Sequence, residues 1–283
     1  MVLEHSISKK YLVKEESRIQ TSLGEVCQAL DTGLGRTVAV KRVHIEGDTP
    51  ANRKLNLKKA ENEICLMLQL EQEEIHVPRI YDFWYDARKN DLYIVMEWIH
   101  GETLQSRMQK MPPYAFLMNM KDLCMILEAM AAKRLYHKDI KPENIMITKR
   151  GTLFLIDFNI SLSAANQEEG TAFYRAPEME PGSKITARNK VDMFAIGVMM
   201  YQFYTGHLPK KPMDYAKGSS FGKNKNSWAK FKEPKEYNPD IPGDINAMIT
   251  KCMKYSPIER YGSIGELRRS IENCIRKQKN TGR

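Results

Sequence analysis

Apolar and polar positions alternate between residues 11 and 43 with the two-residue period of a half-buried strand, most clearly in Thr37-Val38-Ala39-Val40-Lys41. Asp31-Thr32-Gly33-Leu34-Gly35-Arg36 interrupts that run and predicts a hairpin turn. The period changes at Thr49-Pro50, where threonine suits a helix cap and proline the first turn. Leu55, Ala60, Ile64, Met67 and Leu68 then approximate one helical face, which sends Glu63 toward the sheet. Asp91 to Ile99 reads as a strand running into His100-Gly101, a hinge-like pair. Beyond it the pattern turns helical, over 102–110, 115–134, 188–205, 242–254 and 263–277. One exception stands out. Ile145–Thr148 and Thr152–Ile156 are short apolar runs separated by Lys149-Arg150-Gly151, which predicts a β-hairpin. Mostly β before residue 100 and mostly α after it predicts an α+β chain in two parts, 1–100 and 101–283.

Composition narrows the class. At 283 residues with 42% apolar positions, the chain can bury a proper core. Five scattered cysteines (Cys27, Cys65, Cys124, Cys252, Cys274) show no paired spacing, which favours reduced thiols and a cytoplasmic setting. The first residues lack a basic-then-apolar signal, and no apolar run of 18 residues predicts a membrane span. The net charge of +9 is concentrated between Lys210 and Lys235, where Tyr215, Phe221, Trp228 and Phe231 are interleaved with lysines. Charge mixed with aromatics can bind a single nucleic-acid strand, but a solvated loop is the plainer reading and nucleic acid is not expected. The segment also suits docking of an acidic protein partner. Nothing in the sequence sets an oligomeric state.

The chemistry is concentrated in His137-Lys138-Asp139-Ile140-Lys141-Pro142-Glu143-Asn144, read together with Asp157-Phe158. An antiparallel hairpin places the start of its first strand beside the end of its second. Asn144 and Asp157 should therefore be neighbours, an amide oxygen and a carboxylate suited to Mg²⁺. Asp139 and Lys141, just upstream, add a base and a fixed positive charge, the set that phosphoryl transfer from a metal-bound nucleotide requires.

This stretch resembles the catalytic loop and metal-binding segment of the eukaryotic-type protein kinase family, serine/threonine branch. Val38-Ala39-Val40-Lys41 is similar to that family's third-strand lysine motif, and Glu63 to its helix partner. Gly170-Thr171-Ala172-Phe173-Tyr174-Arg175-Ala176-Pro177-Glu178 resembles the segment closing the activation loop. Asp192, Gly197 and Arg260 resemble later landmarks, with Arg260 expected to pair with Glu178. The likeness covers roughly residues 11 to 277. It implies a two-lobed fold, with a small, mainly antiparallel β N-lobe carrying one key helix and a larger, mainly α C-lobe. It also implies ATP and Mg²⁺ (with Mn²⁺ as an alternative metal), and protein substrates phosphorylated on Ser or Thr, the chain itself included.

By that resemblance Lys41 and Glu63 hold the α- and β-phosphates, Asp139 orients the substrate hydroxyl, Lys141 stabilises the transferring phosphate, and Asn144 and Asp157 ligate metal. Gly24, Val26 and Ala39 cover the nucleotide and Met146 lies below it. Met96 is the gatekeeper, and backbone groups of Glu97 and Ile99 read the base. Taken singly, Lys41 is also readable as a strand-end lysine reaching water, and Asp139 as a loop cap. His137 and Phe158 read as core. The pattern departs from the family in three places. Ile19 and Thr21 stand where the first two loop glycines belong, Asn159 replaces the glycine after Asp-Phe, and Lys138 replaces an arginine. Side chains in that loop limit how closely its amides approach phosphate, which keeps open a pseudokinase acting as a nucleotide-binding or scaffold module. Related small-molecule phosphotransferases share the Asp139-to-Asn144 pattern, but the Ala-Pro-Glu segment with Arg260 is a protein-kinase feature. With lysine at 138 and a short 160–175 segment whose hydroxyls are Ser161, Ser163 and Thr171, little dependence on phosphorylation there is expected.

Overall fold

In a computed structural model, residues 10–21, 24–71, 75–157, 173–179, 183, 189–209 and 231–280 are described. Phe158, Asn159, Ser161, Ser163, Gly170, Thr171, Ala172 and the basic segment from Lys210 to residue 230 lie outside that set, as does the side chain of Glu63. The described residues fall into two compact units, one ending at His100 and the other beginning at Gly101.

The first unit is a twisted antiparallel sheet of β1 (Tyr11–Val13), β2 (Ile19–Thr21), β3 (Gly24–Asp31), β4 (Arg36–His44), β5 (Ile80–Asp86) and β6 (Asp91–Glu97). Strand order is β1-β3-β4-β6-β5, and β2 pairs with β3, beyond the end of β1. Register sorts the side chains. Val26 lies opposite Lys41, and Ala39 opposite Met96, so these four share one face. The other face carries Cys27, Ala29, Val38, Val40 and Val95, a small core packed against Tyr81, Trp84 and Tyr93. Tyr11, Trp84 and Tyr93 lie parallel over it, with ring centroids 6.1 and 5.0 Å apart. The Arg36 guanidinium sits 3.5 Å above the Tyr81 ring.

The structure adds to the sequence pattern at two places in this unit and corrects it at a third. The apolar run from residue 11 is divided by a 3₁₀ turn at Glu15–Ser17. There the Ser17 hydroxyl bonds Lys14 O and accepts from the Gln28 amide, substituting for a ladder bond. Strand β5 was not foreseen, although its aromatic Tyr81-Asp82-Phe83-Trp84-Tyr85 run has the β preference of such residues. Leu55 is exposed; the inward face of helix α1 (Pro50–Glu71) is Ala60, Ile64, Met67 and Leu70. Basic residues surround Leu55 at that end (Arg53, Lys54, Lys58), and the apolar stripe begins only at Ala60.

The second unit is helical around a small sheet, β7 (Gly101–Thr103), β8 (Ile145–Thr148) and β9 (Leu153–Leu155). The single helix expected over 102–110 is instead β7, a short α2 (Leu104–Arg107) and a 3₁₀ turn at Met108–Lys110. Gly101-Glu102-Thr103 pairs with Thr148-Ile147-Met146, and Thr103 then caps α2 through its side chain. Helices α3 (Pro113–Ala132) and α7 (Ile264–Asn280) pack together, with Arg268 of α7 bonding Glu128 of α3 at 2.9 Å. Helix α4 (Val191–Thr205) is buried at every position from Val191 to Tyr201 and ends at Gly206 in the left-handed conformation. Helix α5 (Pro234–Tyr237) is one turn, and α6 (Gly243–Cys252) crosses α4 at Gly197. A Cβ on Gly197 would stand 2.6 Å from Cys252 Cβ. Close approach of these helices therefore requires glycine.

Candidate active site

The β8–β9 hairpin closes as its sequence predicts. Ile145 pairs with Leu155, and the amide of Ile156 donates to Asn144 O at 2.9 Å. That bond sets Asn144 beside the chain entering Asp157. Asn144 is 4% exposed, and its amide nitrogen donates to Asp139 O at 2.8 Å and Asp139 Oδ2 at 3.1 Å. With the nitrogen committed to Asp139, the amide oxygen is the group left for a cation, which fits a hard metal such as Mg²⁺. Asp157 adopts φ +57°, a left-handed conformation rare for a residue with a Cβ.

Asp139 is 5% exposed and holds Lys141 Nζ at 2.9 Å from Oδ2. Lys141 enters a 3₁₀ turn at Pro142–Asn144, whose proline fixes the turn linking these residues. A carboxylate, an ammonium and an amide thus converge within one loop of six residues. The strand lysine, Lys41, is 2% exposed. Val26, Ala39 and Met96 share its face, Ile99 is buried, and Met146 of β8 belongs to the second unit. Glu97 lies on the opposite face, beside Val38, so only its backbone could meet a base bound over Ala39. Its N–H donates to Arg79 O at 2.8 Å. Gly24 has φ +146°, and a Cβ there would stand 1.9 Å from Arg42 O.

The loop from His137 to Asn144 is anchored by Asp192, at the start of α4. Its carboxylate accepts from the amides of His137 (2.8 Å) and Lys138 (2.7 Å). Lys138 takes φ +64°, a strained conformation for lysine that these two bonds stabilise. Burial pushes the Asp192 carboxyl up, with His137 the chief opposing influence. His137 is pushed down by burial, against the pull of Asp192 and Asp139, and its neutral ring donates from Nε2 to Ile156 O at 3.2 Å. Farther on, Glu178 and Arg260 meet in a fully buried bidentate pair at 2.6 and 2.7 Å.

A profile of the protein kinase domain matches residues 20–272, nearly the whole chain. The chain belongs to that family. A probable serine/threonine-protein kinase of Clostridium acetobutylicum is 28% identical over 280 residues, covering 94% of this chain and 40% of the relative. The serine/threonine-protein kinase A of Synechocystis is 28% identical over 278 residues, covering 89% and 50%. The serine/threonine-protein kinase PknH of Mycobacterium bovis is 28% identical over 257 residues, covering 87% and 41%. The chain therefore spans half or less of the length of these curated relatives.

Within this kinase domain, sequence reading missed two supports. Tyr174 is buried and donates to Gln202 Oε1 at 2.7 Å, tying the end of the loop-closing segment to α4. Nothing in the spacing of these two residues marks the bond. The charge network around Glu25, described below, was also missed. Its signal was present, a charged residue at an inward position of β3.

Proposed function

We propose that the chain is a protein serine/threonine kinase that transfers the γ-phosphoryl group of Mg²⁺-ATP to hydroxyls of protein substrates, its own included. One observation carries this reading: Asp139, Lys141 and Asn144 are bonded together in a loop that the hairpin sets beside Asp157. In this reading Asp139 orients the substrate hydroxyl and takes its proton, so that the oxygen can attack the γ-phosphorus as ADP departs. Lys141, already 2.9 Å from Asp139, supplies fixed positive charge where charge develops on the transferring group. Asn144 and Asp157 hold the metal, which neutralises phosphate charge when bound. Lys41, with Glu63 as its partner, holds the α- and β-phosphates. Gly24, Val26, Ala39, Met96, Met146 and the backbones of Glu97 and Ile99 enclose the nucleotide, with residues 1–100 as N-lobe and 101–283 as C-lobe.

The names of the relatives, all serine/threonine-protein kinases, support the serine/threonine assignment. Five cysteines without a disulfide support a cytoplasmic location, and no described helix is long and apolar enough to cross a membrane. The lysines between 210 and 235 suit an acidic protein partner. The test is transfer of labelled phosphate from Mg²⁺-ATP to the chain and to a generic basic protein, with Asp139→Ala and Asp157→Ala alongside. Label on serine or threonine from wild type alone is the expected result. No label across several substrates and metals would overturn the reading in favour of a nucleotide-binding or scaffold module.

A further inference from the structure

Strand β2 is the most weakly rooted part of the nucleotide-side hairpin. It has three residues, pairs among the described residues with no strand but β3, and buries none of its side chains; Ile19 is 58% exposed. Apolar packing therefore cannot hold it. What crosses from β2 to the sheet is a ladder of charge on the face opposite Val26 and Lys41. Glu25, 6% exposed, is its centre. Arg18, at the entry to β2, pairs with Glu25 and with Glu15, and Gln20, its register partner, approaches Glu25 at 3.4 Å. From the other side Arg42, opposite Glu25 on β4, forms an ion pair with the same carboxylate, Nε lying 3.1 Å from Oε1. Arg42 also reaches Asp91 of β6 at 3.5 Å, and His44 Nδ1 lies 2.9 Å from Asp91. The connection runs across four successive strands.

We infer that Glu25 is a positioning residue for the nucleotide, fastening the β2–β3 hairpin to the sheet through Arg18 and Arg42. The inference rests on the nucleotide-binding part of the proposed function. Its logic follows from the two residues that replace glycine in this hairpin. With side chains at Ile19 and Thr21, the backbone gains less from direct approach to phosphate, so its grip depends more on where the hairpin is held. Gly24 fixes the β3 arm against Arg42 O, and Glu25 fixes the β2 arm. A buried carboxylate with cations on both sides is a strong tether, because releasing either cation leaves charge unpaired.

The experiment compares wild type with Glu25→Gln, which keeps size and removes charge. Amide hydrogen exchange across residues 19–26 is followed without nucleotide, and MgATP affinity is measured directly by calorimetry. The expected result is exchange faster by about 5- to 10-fold in the hairpin alone, with affinity weakened by a similar factor, as loss of one charged hydrogen bond implies. In steady state, KM for ATP rises by that factor while kcat stays within about twofold, a split that general destabilisation would not produce. Arg18→Gln, which leaves the Glu25–Arg42 pair intact, serves if Glu25→Gln does not fold, and its expected effect is about two- to threefold. Unchanged hairpin exchange overturns the inference whatever the activity. Faster exchange with unchanged affinity overturns it as well. Faster exchange with weaker affinity supports it even in a chain that transfers no phosphate, so its failure is distinguishable from failure of the kinase reading.

Discussion

Replacing Arg260 with leucine tests how the second unit is locked together. All five N–H groups of Arg260 have acceptors. Nε donates to Lys254 O at 2.9 Å, and Nη1 to Glu178 Oε1 and Lys190 O at 2.6 and 3.1 Å. Nη2 donates to Glu178 Oε2 and Tyr255 O at 2.7 and 3.3 Å. The guanidinium also lies 4.9 Å from the Phe194 ring of α4. One side chain therefore joins the Ala-Pro-Glu segment, the start of α4 and the loop after α6. Arg260→Leu strands a wholly buried carboxylate and three carbonyls. Breaking a buried pair from one side costs about 3–5 kcal/mol, to which unsatisfied carbonyls add. At about 2–4 °C per kcal/mol for a unit of this size, the melting temperature should fall by roughly 6–20 °C. The assay is thermal and urea unfolding by circular dichroism for Arg260→Leu, Glu178→Leu and the double variant. Because each single change leaves a buried charge that the double change removes, the double variant should be more stable than the sum of the singles by about 2 kcal/mol or more. Single losses below about 1 kcal/mol, or strict additivity, would refute the reasoning. The pair would then be shown to exchange with solvent.

The remaining predictions concern the His137–Asn144 loop and α4. Asp192→Asn retains one acceptor for two amides and should cost about 1–3 kcal/mol in chemical denaturation. Adding Lys138→Gly, which removes the strain at φ +64°, should return about 1 kcal/mol, and no recovery would count against strain at that position. Gly197→Ala should destabilise by about 1–3 kcal/mol through its clash with Cys252 and Met253, and a crystal structure showing unshifted α4 and α6 would contradict this. His137 is held below its ordinary value in the fold, so the unfolded chain binds its proton first as pH drops. Stability should therefore decline as pH falls through about 6.5 toward the lower folded value. Asp192, raised in the fold, acts oppositely, its destabilising charge vanishing at acid pH. A His137→Phe variant should show a shallower decline just below pH 6.5, and equal slopes would exclude His137 as the cause.

Much of the site was legible because its parts are local. Asp139, Lys141 and Asn144 lie within six residues, and the hairpin that brings Asp157 to Asn144 follows from two short β-prone runs and a glycine-ended turn. The strand lysine could be placed for a similar reason. Alternation puts Ala39 and Lys41 on one face, and sheet register adds Val26 and Met96. Local patterns read less well where pairing partners decide. Residues 102–110 have helical composition, yet Gly101–Thr103 became a strand because β8 offered an edge. The aromatic run of β5 carried strand preference but no alternation, because Phe83, Trp84 and Tyr85 place large aromatic rings on both faces of a strand that stays regularly paired from Asp82 to Asp86.

The sequence alone determined the groups available here: two carboxylates, an ammonium and an amide in one short stretch, with a strand lysine far upstream. The tertiary structure decided what holds them. Asp192 lies 55 residues from His137, Arg260 lies 82 from Glu178, and Asp91 lies far along the chain from the Arg42 and His44 it binds. Each of these charges is stable when buried only against its partner. Local propensity carries no information about a partner so distant, so only the folded chain could name it.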